Sequence, residues 1–178
     1  MSYITTYTGK HFDPVEPDMS QVVIEDIAHA LSLICRGNGH VKTFLSVGQH
    51  CIRAANEAAA RGYSQRVILA CLLHDASEAY MSDVPRPLKP AMQEYVQIET
   101  QLLDLIYEKF LGSPLTDEES ALVKEIDNDL LYYDLKELLD EVLDVPAPEL
   151  HIELKYDFVS FEVVEQTYLK LYEEYRIL

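Results

Sequence analysis

The stretch Val67-Ile68-Leu69-Ala70-Cys71-Leu72-Leu73-His74-Asp75-Ala76-Ser77-Glu78 decides how the rest of the chain is read. Its first seven residues are all apolar, the pattern of a helix buried on every side. Ser64 can cap that helix, which is expected to continue to about Met81. The apolar run stops abruptly on an imidazole and a carboxylate. An ionised Asp is almost never fully buried unless it is paired or ligates a metal. Glu78 follows His74 by four positions and Asp75 by three, so the three can line neighbouring parts of one helical surface. The plain alternative is a helix end emerging into solvent with His74 paired to Glu78.

On either side the apolar residues also recur at helical spacing. Val23, Ile27, Ala30, Leu31 and Ile34 predict a helix over Val22–Arg36 that stops at Gly37. A second is expected over about Val41–Arg61, ending at Gly62. Beyond the proline cluster Pro85, Pro87 and Pro90, a helix is predicted over Ala91–Leu111, broken by Gly112 and Pro114. Thr116 and Glu119 form a capping-box pattern that opens a helix to about Leu143. Phe161, Val164, Tyr168, Leu171 and Tyr175 mark a last one. Tyr3–Thr8, β-branched or aromatic and closed by Gly9, reads as a short extended arm or hairpin strand. With no repeat and no linker long enough to divide domains, residues 1–178 are expected to form one compact all-α bundle of about six helices with that N-terminal arm.

Lys and Arg number 14 against 31 Asp and Glu, a net charge of −17. A polymer-binding face would need the opposite sign, so a nucleic-acid polymer is excluded as the expected partner. The acidity is loaded towards the end: residues 121–178 hold 5 basic and 15 acidic groups. Arg36, Lys42, Arg86 and Lys89 instead bracket the His74-Asp75 motif, leaving room for a small anion there. No apolar run approaches the ~20 residues of a membrane span, and the start of the chain shows no secretory signal, so a cytoplasmic protein is expected. Cys35, Cys51 and Cys71 sit among apolar residues at helical spacing and read as reduced core residues.

Two further residues can join His74 and Asp75. His50 lies at helical spacing from Val47 and Ala54, where a lone His is often only a hydrogen-bonded core residue. Asp127 has Val123, Leu130 and Leu131 on its stripe, with Glu125 and Asp129 expected to face water; Asp134, seven residues on, competes for the same role. Together His50, His74, Asp75 and Asp127 offer two nitrogens and two oxygens from three helices. That set suits Mn²⁺, Co²⁺, Ni²⁺, Fe²⁺ or Zn²⁺, with Mg²⁺ a further candidate. His29, one turn after Glu25 and three after Asp26, is expected to make a local structural hydrogen bond. His11 and His151 fall in loops with no cluster around them.

The arrangement His50, His74-Asp75, Asp127, with Glu78 and then Asp83-Val84-Pro85-Arg86-Pro87, resembles the HD-domain metal-dependent phosphohydrolases. Within them it is most similar to the small bacterial 5′-nucleotidase branch acting on deoxynucleoside monophosphates. The similarity runs from Ile24 to about Asp134. It implies an HD-type helical bundle, one divalent metal ion on the four ligands, and Glu78 and Asp83 assisting the attacking water or the leaving oxygen. It also implies Arg36 on the phosphate of a small nucleotide and a homodimer, for which the Tyr-rich final helix offers a surface. From their own positions, Lys89 beyond the proline segment is expected to add a second charge and His40, in the turn beside Arg36, to border the pocket. Physical chemistry is consistent with these roles. A bound cation lowers the pKa of its water and screens phosphoryl oxygens, and a guanidinium fork matches phosphate. Where the branch has an aromatic after the phosphate-binding arginine, this chain has Gly37. That departure keeps open a deoxynucleoside triphosphate triphosphohydrolase on the same metal site. A silent nucleotide-binding module is the alternative outside enzymes, against which all four ligands and Glu78 count.

Overall fold

The apolar stretch forms α3 (Gln65–Leu73), against which α2 (Val47–Ala60), α5 (Gln93–Leu111), α6 (Asp117–Leu139) and α7 (Phe161–Tyr175) all pack. In the computed structural model, which describes residues 3–177, Val67 to Leu73 are buried without exception. The described residues also include α1 (Ile24–Leu33), laid against α2 and α7, and the single-turn α4 (Glu78–Met81). The arm is a minimal antiparallel hairpin, β1 (Ile4–Thr5) with β2 (His11–Phe12), in the register Ile4 to Phe12. The protein is thus mostly helical, with six helices of nine residues or more and one two-stranded ribbon. One cluster of buried apolar side chains runs from Phe12 through α1, α2, α3, α5 and α6 to Tyr168 of α7. The tyrosine stripe of α7 is therefore partly spent inside: Tyr168 is fully buried and donates to the Leu72 carbonyl at 2.7 Å.

Several helix ends differ from the periodicity. The first helix stops at Leu33 rather than Arg36, because Ile34 and Cys35 turn extended and the chain pairs with Leu45–Val47 (Arg36 N–H to Leu45 O, 2.9 Å; Val47 N–H to Ile34 O, 2.9 Å). The second begins at Val47, not Val41, since Ser46 and Gln49 form a reciprocal capping box. Between them Gly37, Asn38 and Gly39 take three successive left-handed conformations, which only glycine and short polar residues adopt cheaply. The third helix ends at Leu73 instead of running to Met81, and α6 ends at Leu139 with Asp140 in a left-handed cap. The Thr116–Glu119 capping box forms as the sequence predicts.

Two local expectations are corrected. His29 does not bond to Glu25 or Asp26; its Nδ1 meets Glu165 of α7 at 2.9 Å while its ring stacks on Tyr7. Asp26 accepts instead from the backbone and hydroxyl of Thr8 (2.7 and 3.0 Å), pinning the arm. His151 is not isolated. Its backbone N–H (3.0 Å) and that of Ile152 (3.1 Å) donate to Glu57, a carboxylate buried inside α2 and also bonded by Arg61. Arg61 in turn pairs with Glu125, which is exposed as expected, and with Asp129, which is half-buried rather than facing water. The long segment without regular structure after α6 is thereby fastened to α2. No helix among the described residues is long and apolar enough to cross a membrane.

Gly48 marks the tightest crossing. A Cβ there would stand 3.0 Å from Val164 Cγ1 and 3.2 Å from the Leu31 backbone. Helix propensity alone would favour Ala by up to ~1 kcal/mol, but overpacking costs about 1–3 kcal/mol. Gly48→Ala is therefore expected to lower the melting temperature by several degrees, measured by thermal denaturation.

Candidate metal centre

The end of α3 creates the site. The last carbonyls of a helix lack intrahelical donors, and here side chains supply them: His74 Nδ1 bonds to Cys71 O at 2.7 Å, and Tyr168 takes Leu72 O. The Ala76 N–H closes on Leu73 O at 2.9 Å, so the chain turns through residues 74–77 before α4 begins. Holding Nδ1–H on a carbonyl fixes the His74 tautomer and turns the Nε2 lone pair away from the helix. That rules out the plain His74–Glu78 pair as the reason for the motif.

His50, fully buried on α2, approaches from the opposite side, its ring centroid 5.1 Å from that of His74. Both Nε2 atoms converge on two carboxylates. Asp75 Oδ2 lies 3.3 Å from His74 Nε2 and 4.0 Å from His50 Nε2. Asp127 Oδ1, from the middle of α6, lies 3.2 Å from His50 Nε2 and 3.9 Å from His74 Nε2. Ligand atoms about 2.1 Å from one ion stand between roughly 3 and 4.2 Å apart, and the four imidazole–carboxylate separations fall in that interval, although the mutually close set is His50, His74 and Asp75, with Asp127 close to the two imidazoles. His74 Nε2 is buried with no hydrogen-bond partner among the described residues, as a nitrogen kept for a cation would be. A cluster of His50, His74 and Asp75 can hold a metal ion.

Around this cluster lies a cavity of about 440 Å³, lined on its polar side by Arg36, Asp75, Glu78, Asp83, Arg86, Lys89, Lys124 and Asp127. Arg36 Nη1 is 3.3 Å from Asp75 Oδ2, while its Nη2 lies 3.8 Å from Asp134 Oδ2. Burial alone would raise the carboxyl of Asp75, but the facing imidazoles and Arg36 hold it well below the usual range. Asp127 is likewise held low against burial, by His50, His74 and Lys124, the last bonding its Oδ2 at 2.7 Å. Burial disfavours a charged His74, yet Asp75 beside it raises its proton affinity, so a cation would take the place of that proton. Burial and the charges of Asp75 and Asp83 push the Glu78 carboxyl the other way, up to about 10. Asp83 is raised too, mainly by burial.

The sequence-predicted residues do not all arrive. Lys89 lines the cavity with its ammonium tied to Glu99 at 2.9 Å. His40 is exposed and is not among the lining residues, because the turn at Gly37–Gly39 carries it outward. Lys124 was missed, while Arg86, expected only near the motif, and Asp134 prove to be part of the site. Lys124 and Arg86 both bond Asp127 Oδ2, Arg86 at 3.1 Å. Lys124 was legible as the residue one turn before Asp127. Asp134 proves to be a buried part of the site rather than a competitor for Asp127's place. The far end of the cavity is apolar, walled by Val41, Leu131, Leu135, Leu138 and Leu139, and its lining includes no aromatic side chain.

Fold and cluster together define an all-α protein with a buried His–Asp centre at the end of its central helix. The chain belongs to the family of the Escherichia coli protein YfdR, with which it is 36% identical over 157 residues covering 84% of each chain. It is also similar to an uncharacterized protein of Rhodobacter capsulatus, at 34% identity over 109 residues, 58% of this chain and 55% of that protein. Neither relative's name states an activity, and no family model matches the chain.

Two outcomes are expected. Elemental analysis of the purified protein should find a bound transition metal that His74→Ala and Asp75→Ala lose. In chelator-stripped protein, folded Glu78 keeps a proton that the unfolded chain releases above its ordinary value of 4.5. The native state then binds more protons, so this group's contribution to stability falls as pH rises from there towards about 10. Glu78→Gln should remove that slope, its urea midpoint gaining on the parent from about pH 5 to 9; a difference independent of pH would mean the carboxyl is already ionised.

Proposed function

We propose that the protein is a metal-dependent phosphohydrolase of the HD-domain kind, cleaving the phosphate ester of a small nucleotide, with a (deoxy)nucleoside 5′-monophosphate as the substrate that fits best. The single observation carrying the reading is the convergence of His50 Nε2 and His74 Nε2 on Asp75 Oδ2 and Asp127 Oδ1, two carboxylates that line a cavity whose walls carry four cations. One divalent ion, held by those four residues, would supply Lewis-acid polarisation of the phosphoryl group and a water of lowered pKa. Arg36 and Lys124, both within reach of the ligand carboxylates, would orient the phosphoryl oxygens. Glu78, whose carboxyl burial pushes up, would give a proton to the leaving oxygen, and Asp83 would assist at the attacking water. The Val41–Leu139 wall would take the apolar body of the substrate. At −17 the exterior disfavours a polyanion, while Arg36, Arg86 and Lys124, now paired with Asp75 and Asp127, would be freed for a small anion once a divalent ion compensates those carboxylates.

A second reading, release of triphosphate from a deoxynucleoside triphosphate, is favoured by that same count of cations, more than one phosphoryl group requires, and by the lack of an aromatic in the lining. The deciding experiment is a nucleotide panel on metal-stripped protein with Mn²⁺, Co²⁺, Ni²⁺, Fe²⁺, Zn²⁺ or Mg²⁺ restored singly. Inorganic phosphate as product is the expected outcome, and triphosphate would select the second reading. Glu78→Gln should cost ~10²–10⁴ in rate, and Arg36→Met about 10–100-fold in kcat/KM, from one charge-assisted hydrogen bond. No turnover with any metal, at a level where Asp75→Ala behaves identically, would overturn both readings.

A further inference from the structure

His50 and His74 present the same nitrogen to the site but are anchored differently. His74 gives its other nitrogen to a backbone carbonyl, whereas His50 Nδ1 faces only a side chain, Asp134 Oδ2, at 3.5 Å. The contact is an ion-pair approach rather than a completed hydrogen bond: both atoms are buried with no hydrogen-bond partner among the described residues, and the other group facing Oδ2 is Arg36 Nη2 at 3.8 Å. Asp134 sits seven residues beyond Asp127, two turns along the same face of α6, so a single helix brings one carboxylate to each nitrogen of His50. Its other oxygen is held from two sides. Tyr156 O–H donates to Oδ1 at 3.0 Å, and Arg53 Nη1, also from α2, at 3.3 Å. Arg53 lies over the Tyr156 ring, 4.5 Å from its centroid, and donates as well to the Lys155 carbonyl.

We infer that Asp134 is a positioning residue for the metal centre: it holds His50 in the Nδ1–H form so that Nε2 faces the ion, and Arg53 and Tyr156 hold Asp134. The inference rests on the metal reading proposed above. A carboxylate on the far nitrogen fixes ring orientation and raises ligand basicity, and loss of such a partner typically costs 10–100-fold in metal affinity. Asp134 lines the cavity beside Arg36 but would not itself ligate the ion. Tyr156, which bonds Asp134, and the Lys155 carbonyl, which holds Arg53, come from the irregular segment after α6, so that segment takes part in setting the site without lining its floor.

The test is titration of the metal-stripped full chain with Co²⁺, following the visible spectrum and calorimetric affinity. Asp134→Asn is expected to bind 10–100-fold more weakly with an altered Co²⁺ spectrum, and Tyr156→Phe to give a smaller loss of the same sign. Leu102→Ala, a core cavity in α5, a helix that contributes none of these contacts, should lower the melting temperature while leaving Co²⁺ affinity and spectrum unchanged, which separates positioning from general destabilisation. A measurement on the unaltered Zn²⁺-loaded protein stands independently of whether the variant folds: ¹⁵N NMR should show the proton of His50 on Nδ1. Unchanged Co²⁺ affinity and spectrum in Asp134→Asn, or the His50 proton on Nε2, would overturn the role of Asp134 alone. Failure of the unaltered protein to bind Co²⁺ at all would overturn the metal reading itself, and this inference with it.

Discussion

Everything at the centre follows from how α3 ends. A nine-residue helix with no polar side chain after Arg66 leaves carbonyls at its C-terminus inside the core, where an unmet acceptor costs about 1–3 kcal/mol. The imidazole of His74 and the hydroxyl of Tyr168 meet two of them. The same bond that finishes the helix aims His74 at the cluster, so the stability of the core and the geometry of the centre are one constraint. A residue that capped Cys71 O without an imidazole would finish the helix equally well and present nothing.

The second constraint is electrostatic. Asp75, Asp127, Asp134, Glu78 and Asp83 stand around one cavity, and several acids in a partly buried space cannot all ionise without positive partners. The structure answers in two ways. Asp75, Asp127 and Asp134 are kept ionised by His50, His74, Arg36, Arg53 and Lys124, while Glu78 and Asp83 are driven towards the neutral acid. Two populations of carboxyl groups arise in one pocket, two of them raised chiefly by burial and three held down by cationic neighbours, and such separation of proton affinities is common at sites that move protons.

Much of this was legible in the sequence, and the reasons for the rest are physical. The helices and their core stripes followed from periodicity, and Thr116–Glu119 announced its own cap. The His50, His74, Asp75 and Asp127 grouping could be read because charged residues inside apolar stripes need partners. What periodicity could not reveal was where helices stop when tertiary bonds replace backbone ones: Ile34 leaves α1 to pair with Val47, and His74 leaves α3 to take Cys71 O. His29, His151 and Asp134 were misjudged for a related reason. Their partners Glu165, Glu57 and His50 are 136, 94 and 84 residues away, and no local spacing encodes a contact of that range. His40 was misjudged because three left-handed residues before it swing the chain outward.

Arg36 has a consequence of its own. Its guanidinium is already engaged, spanning from Asp75 to Asp134. Any anion reaching it must trade places with the protein's own carboxylates, so the free energy of capture is a difference between two ion pairs rather than the gain of one. Occupation of the cluster by a cation would draw Asp75 away from Arg36 and release one arm of the fork. The arginine is in that sense a gauge of its neighbours' charge: engaged by the acids when they are uncompensated, and available to a visiting phosphate once they are neutralised.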